Sequence, residues 1–170
     1  TKINEIPKLR NYTTHVKTRV KKSKIPNAGL GMFAGEDIPK NTVIGFYPGQ
    51  VIPRTKAKYH NYTMSTKNKR LVIEPNPRIK NGVHMINEAG VNQRANVLYK
   101  TLEYNQCVYF SVDDIKKGDE LLTCYGAFYP RKYKIPPASK CRDPRCRRTS
   151  NLIHRFESWK YNIKKKIDLI

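Results

Sequence analysis

Hydrophobic residues in this sequence come in short runs that are separated by glycine, proline, asparagine and charged residues. Such runs between turn-forming residues are typical of β-strands. The predicted strands are His15–Lys22, Met32–Ala34, Thr42–Tyr47, Gln50–Ile52, Arg70–Glu74, Ala95–Tyr99, Gln106–Ser111 and Glu120–Tyr125. Of these, Ala95–Tyr99 and Gln106–Ser111 are predicted to pair as a hairpin. Many short strands and few helices predict a mainly β fold made of small sheets.

The pattern changes near the end of the chain, beyond Pro136-Pro137. Apolar residues then recur at helical spacing, and Thr149-Ser150 is a suitable helix cap. The apolar positions are Leu152, Phe156, Trp159, Ile163 and Ile167, and the opposite face carries Arg155, Lys160, Lys164 and Lys165. The favoured interpretation is a C-terminal helix that packs on the β body. The alternative is a free amphipathic helix that binds nucleic acid or a membrane surface.

A chain of 170 residues fits one domain with its own core. The sequence contains no run of 18 apolar residues, so we expect no membrane partner. The four cysteines are irregularly spaced and do not form the framework of a disulfide-rich protein. We therefore expect reduced thiols.

Basic residues greatly outnumber acidic ones, with 34 lysines and arginines, 13 aspartates and glutamates, and a formal net charge of +21. Such a charge indicates which partners a protein attracts rather than how it folds. The basic clusters are Arg19–Lys24, Lys56–Lys58, Lys67–Arg70, Arg131–Lys134, Lys140–Arg148 and Lys164–Lys166. A polyanion, and DNA in particular, is the favoured partner. The alternative is a lysine-rich background composition with no specific role.

Three short motifs contain residues suited to ligand binding. Gly29-Leu30-Gly31 lets the backbone approach a ligand closely, although taken alone it predicts a tight turn. Asn87 and Asn96 each offer a donor and an acceptor, although taken alone they are typical of turns. Tyr125 ends the last predicted strand, immediately before Gly126.

In this order, the three motifs resemble the SET-domain protein lysine methyltransferases, and the resemblance runs from about Val16 to Tyr129. The compact members in large DNA viruses and bacteria are the most similar type. The resemblance implies a β-clip fold, in which small sheets surround a knot-like crossing of the asparagine segment with the last strand. It divides the chain into an N-terminal extension at 1–15, a SET domain at 16–129 and a C-terminal cap at 130–170.

The resemblance also implies S-adenosylmethionine as the methyl donor. Its cofactor-binding residues map onto Gly29, Leu30, Gly31, Asn87, Glu88 and Tyr125. The sequence departs from the family at Glu88, where a histidine is usual, and at Gln50, where a glutamate is usual. Tyr47, on the same strand as Gln50, is expected to be a core aromatic residue.

The catalytic residues that the resemblance implies are Tyr125 and Tyr62, with Tyr59 as an alternative to Tyr62. Thr123 would line the substrate channel where the family often has an aromatic residue, which leaves room for two or three methyl groups. Phe128 and Tyr129 would close that channel or, alternatively, pack under the C-terminal helix.

No metal site is expected. Many family members bind zinc with three cysteines after the catalytic tyrosine and a fourth from the asparagine loop, whereas this chain has only Cys141 and Cys146 in that region. A structural zinc ion requires four ligands.

The expected substrate is histone in chromatin, or another lysine-containing protein, in the nucleus or a host nucleus and otherwise in the cytoplasm. Nucleosomal DNA is the expected partner of the basic surface, and a homodimer is left open. Two alternatives belong to other classes: a catalytically silent SET-like protein that binds DNA, and a basic nucleic-acid-binding module unrelated to methyl transfer.

Overall fold

The computed structural model describes residues 12–90 and 93–125. Its strands are β1 (Thr18–Lys22), β2 (Leu30–Ala34), β3 (Val43–Phe46), β4 (Gln50–Pro53), β5 (Met64–Ser65), β6 (Leu71–Glu74), β7 (Asn87–Glu88), β8 (Val97–Thr101), β9 (Cys107–Ser111) and β10 (Leu122–Thr123). Short 3₁₀ helices lie at Arg54–Lys56 and Val83–Met85. The predicted C-terminal helix, Phe128, Tyr129, Cys141 and Cys146 lie outside the described residues.

Within the described residues the strands form four small sheets. β1 pairs with β2, β3-β9-β8 and β4-β6-β5 are antiparallel three-stranded sheets, and β7 pairs with β10. The mainly β fold predicted from the hydrophobic pattern is therefore confirmed. The predicted hairpin is confirmed as β8-β9, in which Val97 pairs with Ser111 and Thr101 with Cys107.

The hydrophobic core lies where the sheets face one another. One buried cluster joins residues of β2, β3, β6 and β9 to the 3₁₀ helix before β7, and it includes Met32, Ile44, Ile73, Val83, Ile86, Tyr109 and Leu121. Tyr109 stacks between Tyr47 and Tyr99, with ring centroids 5.9 and 5.4 Å apart. Tyr47 is 5 % exposed, so its predicted place in the core is confirmed.

β7 and β10 are parallel, with Asn87 opposite Leu122 and Glu88 opposite Thr123. On the other side of β10, the backbone N–H of Asn96 donates to the oxygen of Leu122 at 3.0 Å. The segment at 120–123 therefore runs between the two ends of an earlier stretch of chain. This is the knot-like crossing that the resemblance implies.

The last predicted strand, Glu120–Tyr125, is regular only at Leu122–Thr123. The side chain of Asn96 explains the difference, because it replaces a partner strand there. Its Oδ1 accepts from the N–H of Leu122 at 2.9 Å, and its Nδ2 donates to the oxygen of Glu120 at 3.0 Å. Asn96 is therefore a structural residue that holds the crossing closed.

Two further observations concern the expectations about cysteines and membranes. Cys107 is free and buried, and burial raises the pKa of its thiol far above the ordinary value. Cys124 is disulfide-bonded, so the expectation of reduced thiols is wrong for this position. In the part of the chain that the structure describes, no helix is long and apolar enough to cross a membrane.

Candidate functional site

The side chain of Asn87 joins the crossing to the glycine turn. Its Nδ2 donates to the main-chain oxygen of Leu30 at 2.9 Å and lies 3.5 Å from Oε1 of Glu120. Leu30 opens β2, and Glu120 begins the segment at 120–123 that forms the crossing. Three segments that are far apart in the sequence therefore meet at one amide group.

The two glycines beside Leu30 have different structural roles. Gly29 has a φ of +71°, a conformation that other residues rarely adopt, and a Cβ at this position would meet nothing within 4 Å. At Gly31, by contrast, a Cβ would lie 2.3 Å from Oε1 of Glu120 and 3.0 Å from Nδ2 of Asn87. Gly29 therefore makes the turn next to open space, and Gly31 permits the close approach of Asn87 and Glu120.

Glu120 is a residue of this site that the sequence reasoning did not single out. It is only 6 % exposed, and it accepts hydrogen bonds from the hydroxyl of Ser23 at 2.6 Å and from the backbone N–H of Lys24 at 2.8 Å. A signal was present in the sequence, since an acidic residue directly precedes the apolar pair Leu121-Leu122 on a predicted strand. The structure shows that its carboxyl group ties the loop after β1 to the crossing.

Hydrogen bonds to neighbouring segments hold Tyr125 next to Asn87. Its hydroxyl donates to the main-chain oxygen of Ile86 at 3.0 Å, and its backbone N–H donates to Oε1 of Glu88 at 3.3 Å. Its main-chain oxygen accepts from the hydroxyl of Tyr99 at 3.2 Å. Burial, together with nearby Cys107 and Glu88, raises the pKa of Tyr99 to about 12, so this hydroxyl remains a donor at neutral pH.

Glu88, which stands where the family usually has histidine, is 9 % exposed and lies opposite Thr123 in the crossing. Its carboxyl group binds the backbone of Tyr125, so the structure brings these two predicted site residues together. Thr123 is fully buried, and its Oγ1 has no hydrogen-bond partner among the described residues.

Tyr62 is connected to the site through His84. Their ring centroids are 6.2 Å apart, and the hydroxyl of Tyr47 donates to the main-chain oxygen of Tyr62. His84 lies on the 3₁₀ helix that leads into Ile86 and Asn87. Tyr59, the alternative, is 45 % exposed, whereas Tyr62 is partly buried. The hydrogen bonds and ring contacts of the described residues do not join either tyrosine directly to Tyr125.

His84 is a buried, uncharged histidine. Burial, with Lys80 nearby, lowers its pKa to about 4, although a hydrogen bond to the oxygen of Ile79 acts in the opposite direction. That bond is 2.7 Å from Nε2, and Nδ1 has no partner among the described residues. No group of three or more metal-binding side chains occurs in the described part of the chain.

Comparisons with known proteins identify the family of this chain. The profile of the SET domain matches residues 29–126, which include Gly29, Asn87 and Tyr125. The chain is 28 % identical over 120 residues to histone-lysine N-methyltransferase set-17 of Caenorhabditis elegans. The match covers 68 % of this chain and 43 % of the relative, so the chain spans less than half of that protein's length.

Solved structures share the fold at lower identity. The polycomb repressive complex 2 of Chaetomium thermophilum matches with a TM-score of 0.54 at 21 % identity, over 68 % of this chain and 16 % of that chain. Another structure of this complex, bound to S-adenosylmethionine, has a TM-score of 0.53 at 22 % identity, over 68 % and 16 %. A candidate histone methyltransferase of Plasmodium falciparum has a TM-score of 0.51 at 24 % identity, over 66 % of this chain and 95 % of its own.

Proposed function

The chain belongs to the SET domain family, and from this premise we propose that it is a protein-lysine N-methyltransferase that uses S-adenosylmethionine. The observation that carries the proposal is the meeting of Asn87, the Leu30 backbone and Tyr125 at the crossing. One polar amide, one exposed stretch of backbone and one tyrosine hydroxyl are the groups that the proposed reaction requires.

The residues present fit the cofactor. Leu30 is 42 % exposed, and the space next to Gly29 is open, so a flat ligand can lie against this backbone. In the described part of the chain no hydrogen bond uses Oδ1 of Asn87, which leaves an acceptor for the amino group of a ligand. When bound, S-adenosylmethionine supplies a methyl group on a positively charged sulfur.

The chain's own residues orient the two reacting groups. The hydroxyl of Tyr125 and the oxygen of Ile86 lie 3.0 Å apart next to Asn87, and oxygens so placed can align a polarised methyl group through weak C–H···O contacts. The oxygen of the Tyr125 hydroxyl is also an acceptor, so it can orient the amine of the substrate. Holding the amine and the methyl group in line supplies most of the acceleration in such a displacement.

The substrate amine must be uncharged to react, and the ordinary pKa of lysine is about 10.4. Burial beside a cation disfavours the ammonium form, so a narrow channel next to Tyr125 lowers the pKa of the bound lysine. Thr123, which is small and fully buried two positions before Tyr125, leaves room for a methylated amine. We therefore propose that the enzyme adds two or three methyl groups, which mass spectrometry of the product would show. Tyr62 remains a proposed catalytic residue, and Phe128 and Tyr129 remain proposed residues of the channel.

We propose histone in chromatin as the substrate and the nucleus, or a host nucleus, as the location. The name of the C. elegans relative supports this choice, and so does the charge of +21. A protein of this charge repels an isolated, positively charged histone tail, but it is attracted to the phosphates of nucleosomal DNA.

The structure offers a surface for that contact at one end of the β4-β6-β5 sheet. We call this surface the basic sheet end; its members are Arg54, Lys56, Lys69 and Arg70. Arg54 donates from its backbone N–H to the oxygen of Arg70 at 2.8 Å and from Nε to the oxygen of Lys69 at 3.0 Å. Among the described residues, none of these four side chains forms an ion pair. Their charge is therefore available to phosphates.

Titration with S-adenosylhomocysteine, followed by a methyl-transfer assay on histone and nucleosomes, tests the proposal. We expect stoichiometric binding and a mass increase on lysine that requires Tyr125. Binding without transfer to any lysine protein would favour the alternative of a silent SET-like protein that binds DNA. Absence of binding would overturn the proposed function.

A further inference from the structure

We propose that Glu120 is a positioning residue: it sets the orientation of the Asn87 amide so that Oδ1 faces the ligand and receives the amino group of the cofactor. This inference rests on the proposed function. Glu120 thereby decides whether Asn87 presents its oxygen, an acceptor, or its NH₂ group, a donor, to the amino-acid end of the cofactor.

Glu120 is held in one place by the loop that follows β1. Its Oε1 accepts from the Ser23 hydroxyl at 2.6 Å, and its Oε2 accepts from the Lys24 N–H at 2.8 Å. Ser23 is itself fixed, because its Oγ accepts from the N–H of Ile25 at 3.0 Å. A buried carboxyl group with both oxygens engaged is a rigid reference point for its neighbours.

The amide of Asn87 faces two acceptors. Nδ2 lies 2.9 Å from the oxygen of Leu30 and 3.5 Å from Oε1 of Glu120. If the amide were turned over, its oxygen would stand against these two oxygens, which is electrostatically unfavourable; the hydrogen-bond network thus decides the orientation. Because the NH₂ group faces inward, Oδ1 is the atom left for a ligand. A positively charged amino group can donate to it, and a carboxylate cannot.

Gly31 supports the same arrangement. A Cβ there would lie 2.3 Å from Oε1 of Glu120, so any larger residue would displace the carboxyl group from Asn87. The second glycine of the turn is therefore needed for the contact between Asn87 and Glu120, in addition to any contact that it makes with the cofactor.

The decisive variant is Glu120→Gln, which keeps the size of the side chain but can present an NH₂ group to Asn87. Two ligands are compared by calorimetry: S-adenosylhomocysteine and its deaminated analogue, which lacks only the amino group. We expect Glu120→Gln to weaken binding of S-adenosylhomocysteine about tenfold and to leave the analogue nearly unchanged. In an Asn87→Ala background, Glu120→Gln should cause no further loss.

The matched control is Asp119→Asn, which makes the same change of charge at the neighbouring position. Asp119 is exposed and accepts from the backbone of Lys116 at 3.2 Å, so both affinities should remain at the wild-type level. If Glu120→Gln does not fold, Ser23→Ala is the second variant, because it removes the 2.6 Å bond to Glu120 without a change of charge. It should also weaken the binding of S-adenosylhomocysteine but not that of the deaminated analogue.

The outcomes separate the two proposals. If Glu120→Gln weakens both ligands equally, Glu120 only supports the fold and the inference is wrong. If neither affinity changes while the wild type binds S-adenosylhomocysteine, the inference fails and the proposed function stands. If the wild-type protein binds neither ligand, both the proposed function and this inference are wrong.

Discussion

The hydroxyl of Tyr125 donates a 3.0 Å hydrogen bond to the main-chain oxygen of Ile86, the residue directly before Asn87. One contact thus joins the proposed catalytic tyrosine to the segment that carries the proposed cofactor-binding asparagine. It also fixes the hydroxyl rotor, since the proton points at Ile86 and the lone pairs point elsewhere.

Tyr125→Phe should fold and bind S-adenosylhomocysteine but lose most methyl transfer. The phenyl ring keeps the packing, whereas the oxygen that orients the amine and the methyl group is gone. Single-turnover assays on histone would measure the loss, with circular dichroism as a test of folding. Tyr104→Phe is the matched control, because Tyr104 is 80 % exposed and should retain full activity. A wild-type rate in Tyr125→Phe would show that the hydroxyl of Tyr125 is not needed for methyl transfer.

Asn87→Ala should mainly affect ligand binding, whereas Asn96→Ala should mainly affect stability. Asn87→Ala removes a proposed ligand contact and should weaken the binding of S-adenosylhomocysteine by about ten- to hundredfold. Asn96→Ala leaves the N–H of Leu122 and the oxygen of Glu120 without partners and should lower the free energy of unfolding by about 1–3 kcal/mol. Calorimetry and urea denaturation on both variants would compare them. An unchanged dissociation constant in Asn87→Ala would show that Asn87 is only structural.

The stability of the protein should fall in mild acid because of His84. Its pKa is about 4 in the folded protein and 6.5 in its ordinary state, so the unfolded chain binds the proton more readily. Above pH 6.5, neutral His84 makes its full contribution to the free energy of unfolding. This contribution, about 3 kcal/mol at most, is lost as the pH falls towards 4.

His84→Gln, which does not titrate and keeps a donor for the oxygen of Ile79, tests the assignment to His84. Urea denaturation between pH 4 and 7 should show a smaller loss of stability in this variant than in the wild type. Equal pH dependence in both proteins would assign the acid sensitivity to other groups.

Nucleosomes should be methylated faster than free histone, and the advantage should decline steeply with salt. Lys56→Glu with Lys69→Glu reverses charge at the basic sheet end and should reduce the advantage, while activity on a short histone peptide stays the same. Lys40→Glu with Lys116→Glu is a control with the same change of net charge, at residues distant in sequence from that surface. Equal rates on nucleosomes and free histone at low salt would show that the charge is compositional background.

The same test applies to the basic residues Arg142, Arg145, Arg147 and Arg148, which lie outside the described residues. Charge reversal there is predicted to lower the nucleosome advantage as well. A loss in only one of the two sets of variants would identify which surface contacts the DNA.

Local patterns in the sequence were sufficient for most strands. The hairpin of β8 and β9 follows from two apolar runs joined by a short connection, because pairing of neighbouring segments requires little loop closure. The glycine turn and Tyr125 were identifiable for a similar reason, since each is a motif that is complete within a few residues.

The tertiary structure alone decided how those motifs meet. Glu120 and Ser23 are 97 positions apart, and no periodicity relates them. The two-residue pairing of β7 with β10 is too short to leave a pattern, and it depends on the side chain of Asn96. The neutral state of His84 likewise comes from burial against residues of other segments, such as Tyr12 and Tyr62. The burial of Glu120, the neutral state of His84 and the orientation of the Asn87 amide all depend on neighbouring groups. In this protein those neighbours come from segments that are distant in the sequence, and they meet only in the folded chain.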